Sequence, residues 1–155
     1  EGSDAEKVDL SGCNTQRNLS QKGREQAWAT GLALQKLKIP LGLTLSGQYC
    51  RNRDSAVLLS GKSNAVAELN NPYFQNSTEI NRLKVIGDLK RVLMQKPRAG
   101  SNTVIVTHES NLRLITEWML QEGEAAIVQV SALGEPKVLA RVTPEQFQVA
   151  ARQVR

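Results

Sequence analysis

Thr103-Val104-Ile105-Val106-Thr107 is a run of five β-branched residues with His108 directly behind it, and no other segment constrains the fold so tightly. β-branched side chains fit a pleated strand, and a run without polar alternation reads as a strand covered on both faces. Asn111 to Gln121 continues as an amphipathic helix. A buried strand that passes at once into a helix is the unit of a layered α/β domain, not of a bundle or an antiparallel sandwich.

The flanking segments supply the rest of such a domain. Ser20 is placed to cap a helix running to about Lys38, with Ala27, Gly31, Leu34 and Leu37 on its inward stripe and Ile39-Pro40 as its stop. Leu41, Leu43 and Leu45 alternate through Ser46 as a strand, and Cys50 to Ser60 follows as a short helix ending at Gly61. Residues 61–76 are polar and irregular. A long helix from Ser77 or Thr78 to Lys96 buries Leu83, Ile86, Leu89 and Leu93 and closes at Pro97. Ala125 to Val130 and Lys137 to Val142 read as two further strands, and Thr143-Pro144-Glu145-Gln146 is a capping box that opens a terminal helix carrying Phe147 and Val149. The order implies one α/β domain over residues 1–155, a three-layer α/β/α sandwich with a mostly parallel mixed sheet, and residues 1–18 as a loop or arm.

Composition narrows the function classes. The 20 basic and 15 acidic residues give a net charge of +5, but the basic residues are dispersed among acidic ones. The two tryptophans, two tyrosines and two phenylalanines are equally scattered, so no nucleic-acid stacking platform is expected. Trp28 and Trp118 read as packing residues. No run approaches the roughly 18 apolar residues of a membrane span, so the chain reads as soluble with no membrane partner. The opening Glu-Gly-Ser-Asp has neither a basic nor an apolar signal-peptide region, which leaves the cytoplasm and export after signal cleavage both open. Cys13 and Cys50 match no zinc or redox spacing, and free buried thiols or one disulfide both remain open. Neither a metal nor a cofactor is implied.

Reactive groups of open α/β sheets gather at the carboxyl ends of strands, where helix N-termini present backbone N–H groups to anions. His108 and Arg51 both stand at such ends. An arginine fork grips two oxygens of a phosphate, and a histidine can hydrogen-bond a phosphoryl oxygen, so the pair predicts a phosphate pocket.

Three segments carry a resemblance. Asn14-Thr15-Gln16-Arg17-Asn18-Leu19-Ser20-Gln21-Lys22-Gly23-Arg24-Glu25-Gln26-Ala27 is similar to the helix-opening stretch of the histidine phosphatase (phosphoglycerate-mutase-like) superfamily, especially its small bacterial phosphohistidine-phosphatase-like branch. Ser46-Gly47-Gln48-Tyr49-Cys50-Arg51-Asn52-Arg53-Asp54-Ser55-Ala56 resembles its segment bearing a phosphate-gripping arginine, and Val106-Thr107-His108-Glu109-Ser110-Asn111-Leu112-Arg113 the segment of its second active-site histidine. The resemblance spans most of the chain. It implies hydrolysis of a small phosphorylated substrate or a phosphoprotein through a phosphohistidine, with Arg51 binding phosphate, His108 stabilising the transition state, and Arg17, Asn18 and Glu109 as further substrate contacts. Glu109 and Glu68 are the carboxylates that could protonate a leaving oxygen, and neither is singled out.

Members of that family carry an Arg-His-Gly or Arg-His-Ala tripeptide at the end of their first strand, whose histidine is the nucleophile. This chain has one histidine, in the second-histidine context. Residues 1–18 resemble the loop that follows that strand. The expectation is that a segment bearing the nucleophile is missing from these residues, which would leave strand edges unpaired. The alternative is a relative that binds phosphate without turning it over.

Overall fold

The computed structural model describes residues 2–72 and 79–154, the side chains of 79–81 excepted. The start of the long helix at Ser77 or Thr78 lies outside the described residues. In chain order the elements are α1 (Gln21–Lys36), β1 (Leu41–Ser46), α2 (Cys50–Ser60), β2 (Asn64–Ala65), a 3₁₀ turn (Ala67–Leu69), α3 (Glu79–Leu93), β3 (Asn102–Val106), α4 (Glu109–Thr116), β4 (Ala125–Val130), β5 (Pro136–Val142) and α5 (Pro144–Gln153).

Caps fall where the sequence places them. Ser20 Oγ accepts from Gly23 N, Gly61 ends α2 in the left-handed conformation at φ 76°, and Thr143 with Gln146 forms the full reciprocal box at α5. α4 is shorter than expected. Thr116 Oγ1 folds back to donate to Leu112 O and accepts from Trp118 N, and Glu117 caps the helix at φ 63°, so the helix stops five residues before Gln121 despite the apolar pattern beyond it.

The sheet is parallel, in the order β2-β1-β3. Successive residues of β1 show its two sides. Thr44 and Ser46 are fully buried toward α2 and the turn behind it, bonding Ser60 Oγ at 2.9 Å and Ser63 Oγ at 2.7 Å. Leu45, pointing the other way, joins Leu69, Leu89 and Val92 in a core completed by Ile105 of β3 and Ile115 of α4. A second core gathers Ala33 and Leu34 of α1 with Phe147 and Ala151 of α5, and takes in Leu41, Ala125 and Val142. The α/β layering expected from the sequence is thus present. At Gly31 a Cβ would lie 2.5 Å from Leu59 O, so a glycine is what lets α1 approach α2.

Three details differ from the alternation read in the sequence. A register irregularity between Leu41 and Thr44 breaks the single leucine stripe of β1: Leu41 and Leu45 enter different cores and Leu43 stays 39% exposed. β2, only two residues long and pairing with Leu45 and Ser46, forms inside a stretch that reads as irregular. β4 and β5 pair antiparallel with each other as a separate two-stranded sheet instead of extending the parallel one. β3 is consequently an edge strand among the described residues, and Thr103 to Val106 are half-buried, not covered on both faces.

Candidate functional site

β1 and β3 deliver their carboxyl ends side by side, with Gly47 N donating to Val106 O at 3.0 Å. A Cβ on Gly47 would sit 2.7 Å from Leu69 O, so the turn out of β1 can pass beneath the 3₁₀ segment only as glycine. Gln48 and Asn70 lock this turn with a pair of bonds, backbone N to Oδ1 at 2.7 Å and Nδ2 to Oε1 at 2.8 Å. The chain leaves it as Tyr49-Cys50-Arg51 at the start of α2.

Tyr49 is 4% exposed and forms the floor on which the two predicted residues meet. The Arg51 guanidinium lies over its ring, 4.4 Å from the centroid, and the His108 ring meets it edge-on at 4.9 Å. Arg51 and His108 therefore meet the same ring. Tyr49 itself escaped sequence reasoning; its only signal is an aromatic residue one step before the helix that presents Arg51.

The arginine fork is filled. Arg51 Nη1 and Nη2 donate to the two carboxylate oxygens of Asp4 at 2.8 and 3.0 Å, and Arg17 N donates to Asp4 Oδ1 at 2.7 Å. Nη1 also donates to Arg17 O at 3.0 Å. The Arg51 and Asp4 side chains are only 17% and 11% exposed. Burial alone would raise the Asp4 pKa, but the bonds from Arg51 and Arg17 N, with the Arg51 and His108 charges, more than offset it and hold the carboxyl below its ordinary range. Nothing in the sequence marks Asp4, an acidic residue in a polar arm, as a partner of Arg51.

The arm reaches the site because it is fastened there. Cys13 and Cys50 form a disulfide, which resolves the alternative the sequence leaves open. Gln16, 5% exposed, accepts from Cys50 N at 2.8 Å and donates to Asp9 O and Gly12 O. The remaining sequence candidates divide. Arg17 contributes its backbone while its side chain pairs with Glu122. Asn18 Nδ2 donates to Cys13 O at 2.8 Å, and Glu109, in the first turn of α4, faces Arg113 Nε at 3.6 Å. Glu68 is exposed in the 3₁₀ turn.

His108 stands at the N-cap of α4 without capping it, and its Nε2 is buried with no hydrogen-bond partner among the described residues. Burial first, then the Arg51 charge, pushes its pKa down to about 4 against an opposing pull from Asp4, so at neutral pH it is an uncharged imidazole. An orphaned ring nitrogen beside an arginine fork suits a ligand oxygen or hydroxyl. Because the folded pKa lies below the unfolded 6.5, the His108 contribution to stability is intact above pH 6.5 and drains away as the pH falls toward 4, by about 3 kcal/mol in full. Asp4, whose pKa is also lowered, loses its contribution only below 3.8. Urea unfolding from pH 7 to 4 is expected to show this loss in the wild type and a flatter profile in His108→Gln. Equal slopes would place the titration elsewhere.

Among the described residues no group of three histidine, cysteine or acidic side chains is placed to hold a metal ion, and no helix is long and apolar enough to cross a membrane. No family model and no curated protein matches the chain. Among solved structures it is similar to the protein histidine phosphatase SixA complexed with tungstate, with a TM-score of 0.61 and 16% identity over 83% of this chain and 85% of that one. The fold of residues 2–72 and 79–154 is therefore phosphoglycerate-mutase-like.

Proposed function

We propose that this domain binds the phosphoryl group of a phosphomonoester or a phosphohistidine, small-molecule or protein-borne, and belongs to a phosphatase-type hydrolase working through a phosphohistidine. The observation that carries this reading is the Arg51 fork closed on a hydrogen-bonded oxyanion, the Asp4 carboxylate, beside the orphaned His108 Nε2. The SixA-like fold, in a protein solved with a phosphate-shaped tungstate, supports it. In the proposed chemistry Arg51 carries the charge of two equatorial phosphoryl oxygens. His108, uncharged at neutral pH, supplies a hydrogen bond without charge, and water then cleaves the phosphoenzyme. The attacking histidine is not His108. Among the described residues one edge of β3, the strand that runs directly into His108, is unpaired.

Two measurements test the reading. Inorganic phosphate or tungstate, titrated calorimetrically, is expected to bind the wild type, and Arg51→Ala is expected to weaken binding by about 10- to 100-fold, the value of charge-assisted hydrogen bonds to one group. Equal affinities would remove the site. An aryl phosphate is expected to show no turnover with these 155 residues. Hydrolysis with a phosphoryl group trapped on His108 would make His108 the nucleophile and overturn the assigned roles. A second reading, a phosphate-binding protein without turnover, is favoured by the single histidine and the occupied fork.

A further inference from the structure

Taking the Arg51 site as an oxyanion site, we propose that Asp4 is its built-in occupant, a carboxylate that any incoming phosphoryl group must displace, and that the Cys13–Cys50 disulfide sets how tightly it competes.

The geometry makes the two ligands mutually exclusive. Both terminal nitrogens of Arg51 are spent on Asp4, one on each oxygen, and Arg17 N adds a third bond to the same carboxylate. A phosphoryl group gripped by the same fork needs those donors. A planar carboxylate presents the same two-oxygen edge as one face of a phosphate, so Asp4 satisfies the fork as an internal analogue of the ligand.

Asp4 is 47 residues from Arg51 in sequence, and a free arm of that kind would compete weakly. This arm is folded back on itself and pinned. Ala5 N donates to Thr15 O at 2.9 Å and Asp9 N to Thr15 Oγ1 at 2.8 Å, which closes residues 5–15 into a loop. Cys13 then bonds covalently to Cys50, the residue immediately before Arg51. The tether turns an encounter between distant groups into an intramolecular one at an effective concentration of about millimolar or more. External phosphate has to overcome that concentration. The class of ligand follows: a group with at least two anionic oxygens in one plane, of higher charge than a carboxylate.

Inorganic phosphate binding, measured by calorimetry well below the melting temperature, tests this on the wild type and on Asp4→Asn, Asp4→Ala and Arg51→Ala. Removing the charge at Asp4 is expected to tighten phosphate binding about tenfold or more, the reverse of Arg51→Ala. Reduction of the disulfide is expected to tighten binding several-fold in the wild type and to leave Asp4→Asn unchanged, because the tether acts through Asp4. Unchanged or weaker binding in both Asp4 variants, with Arg51→Ala still losing affinity, would overturn the role of Asp4 and leave the oxyanion site standing. Binding indifferent to Arg51 would remove the site itself. A reduction effect that persists in Asp4→Asn would overturn the coupling to the disulfide.

Discussion

Reducing the Cys13–Cys50 disulfide is expected to lower the free energy of unfolding by about 4 kcal/mol. The two cysteines are 37 residues apart, and the loop they close contains α1 and β1, so the bond restricts an unfolded chain that must otherwise assemble a helix and the sheet's middle strand from open coil. Loop-closure entropy for that separation gives the figure. For a domain of this size it corresponds to a fall in melting temperature of about 8–15 °C. Calorimetric scans with and without reductant, and of the Cys13→Ser/Cys50→Ser double variant, check it. The hydrogen bonds of Gln16 to Cys50 N and of Asn18 to Cys13 O survive reduction, so the arm should keep part of its order and the transition should remain single. A melting temperature unmoved by reductant in the wild type would mean that the bridge does not form in solution.

Much of the fold was legible because it is written in local chemistry. The five β-branched residues before His108, the serine cap of α1, the Thr143 box and the left-handed glycine after α2 each act within a few residues, and each appears where it was expected. Arg51 and His108 could be paired in advance because strand ends of one parallel sheet converge, which is a property of topology and not of either residue. What stayed hidden depends on contacts across the chain. Asp4 and Arg51 meet only because a disulfide and Gln16 carry the arm to α2, and no spacing or periodicity encodes that meeting. The leucine alternation of β1 predicted a single apolar face, and the register irregularity after Leu41 divided it. The apolar pattern past Thr116 predicted more helix, but a threonine hydroxyl competing for backbone groups ended it. Periodicity reports which residues want burial; it does not report where the backbone will break to satisfy them.

Asn111→Asp is expected to destabilise the domain by about 3–5 kcal/mol at pH 7, more than Asn111→Ala, although it replaces a single NH₂ by oxygen. Asn111 is 1% exposed on the first turn of α4, and its Nδ2 donates to Leu69 O and Asn70 O at 3.1 Å and to Thr107 Oγ1 at 2.6 Å. These bonds hold the Thr107-His108 junction against the 3₁₀ turn, and Thr107 Oγ1 donates to Leu69 O beside them. Three acceptors converge on one amide nitrogen, so the site tolerates a donor and nothing else. Alanine leaves those oxygens with a small void. Aspartate places a negative charge against two carbonyls, with no cation among the atoms that bond Asn111, and must either stay ionised at high cost or take up a proton. The sign of the pH dependence follows. The folded pKa of such a carboxyl is raised above its unfolded value, so the stability of Asn111→Asp is recovered as the pH falls below that raised value and lost as the pH rises through it. Urea unfolding between pH 8 and pH 5 should show the aspartate variant gaining stability relative to Asn111→Ala, until the protonated carboxyl donates to one of the three acceptors. Because His108 stands at the N-cap position of the same helix, the ionised variant should also lose oxyanion affinity together with stability, whereas a change confined to stability would show that the junction does not need Asn111 to present His108.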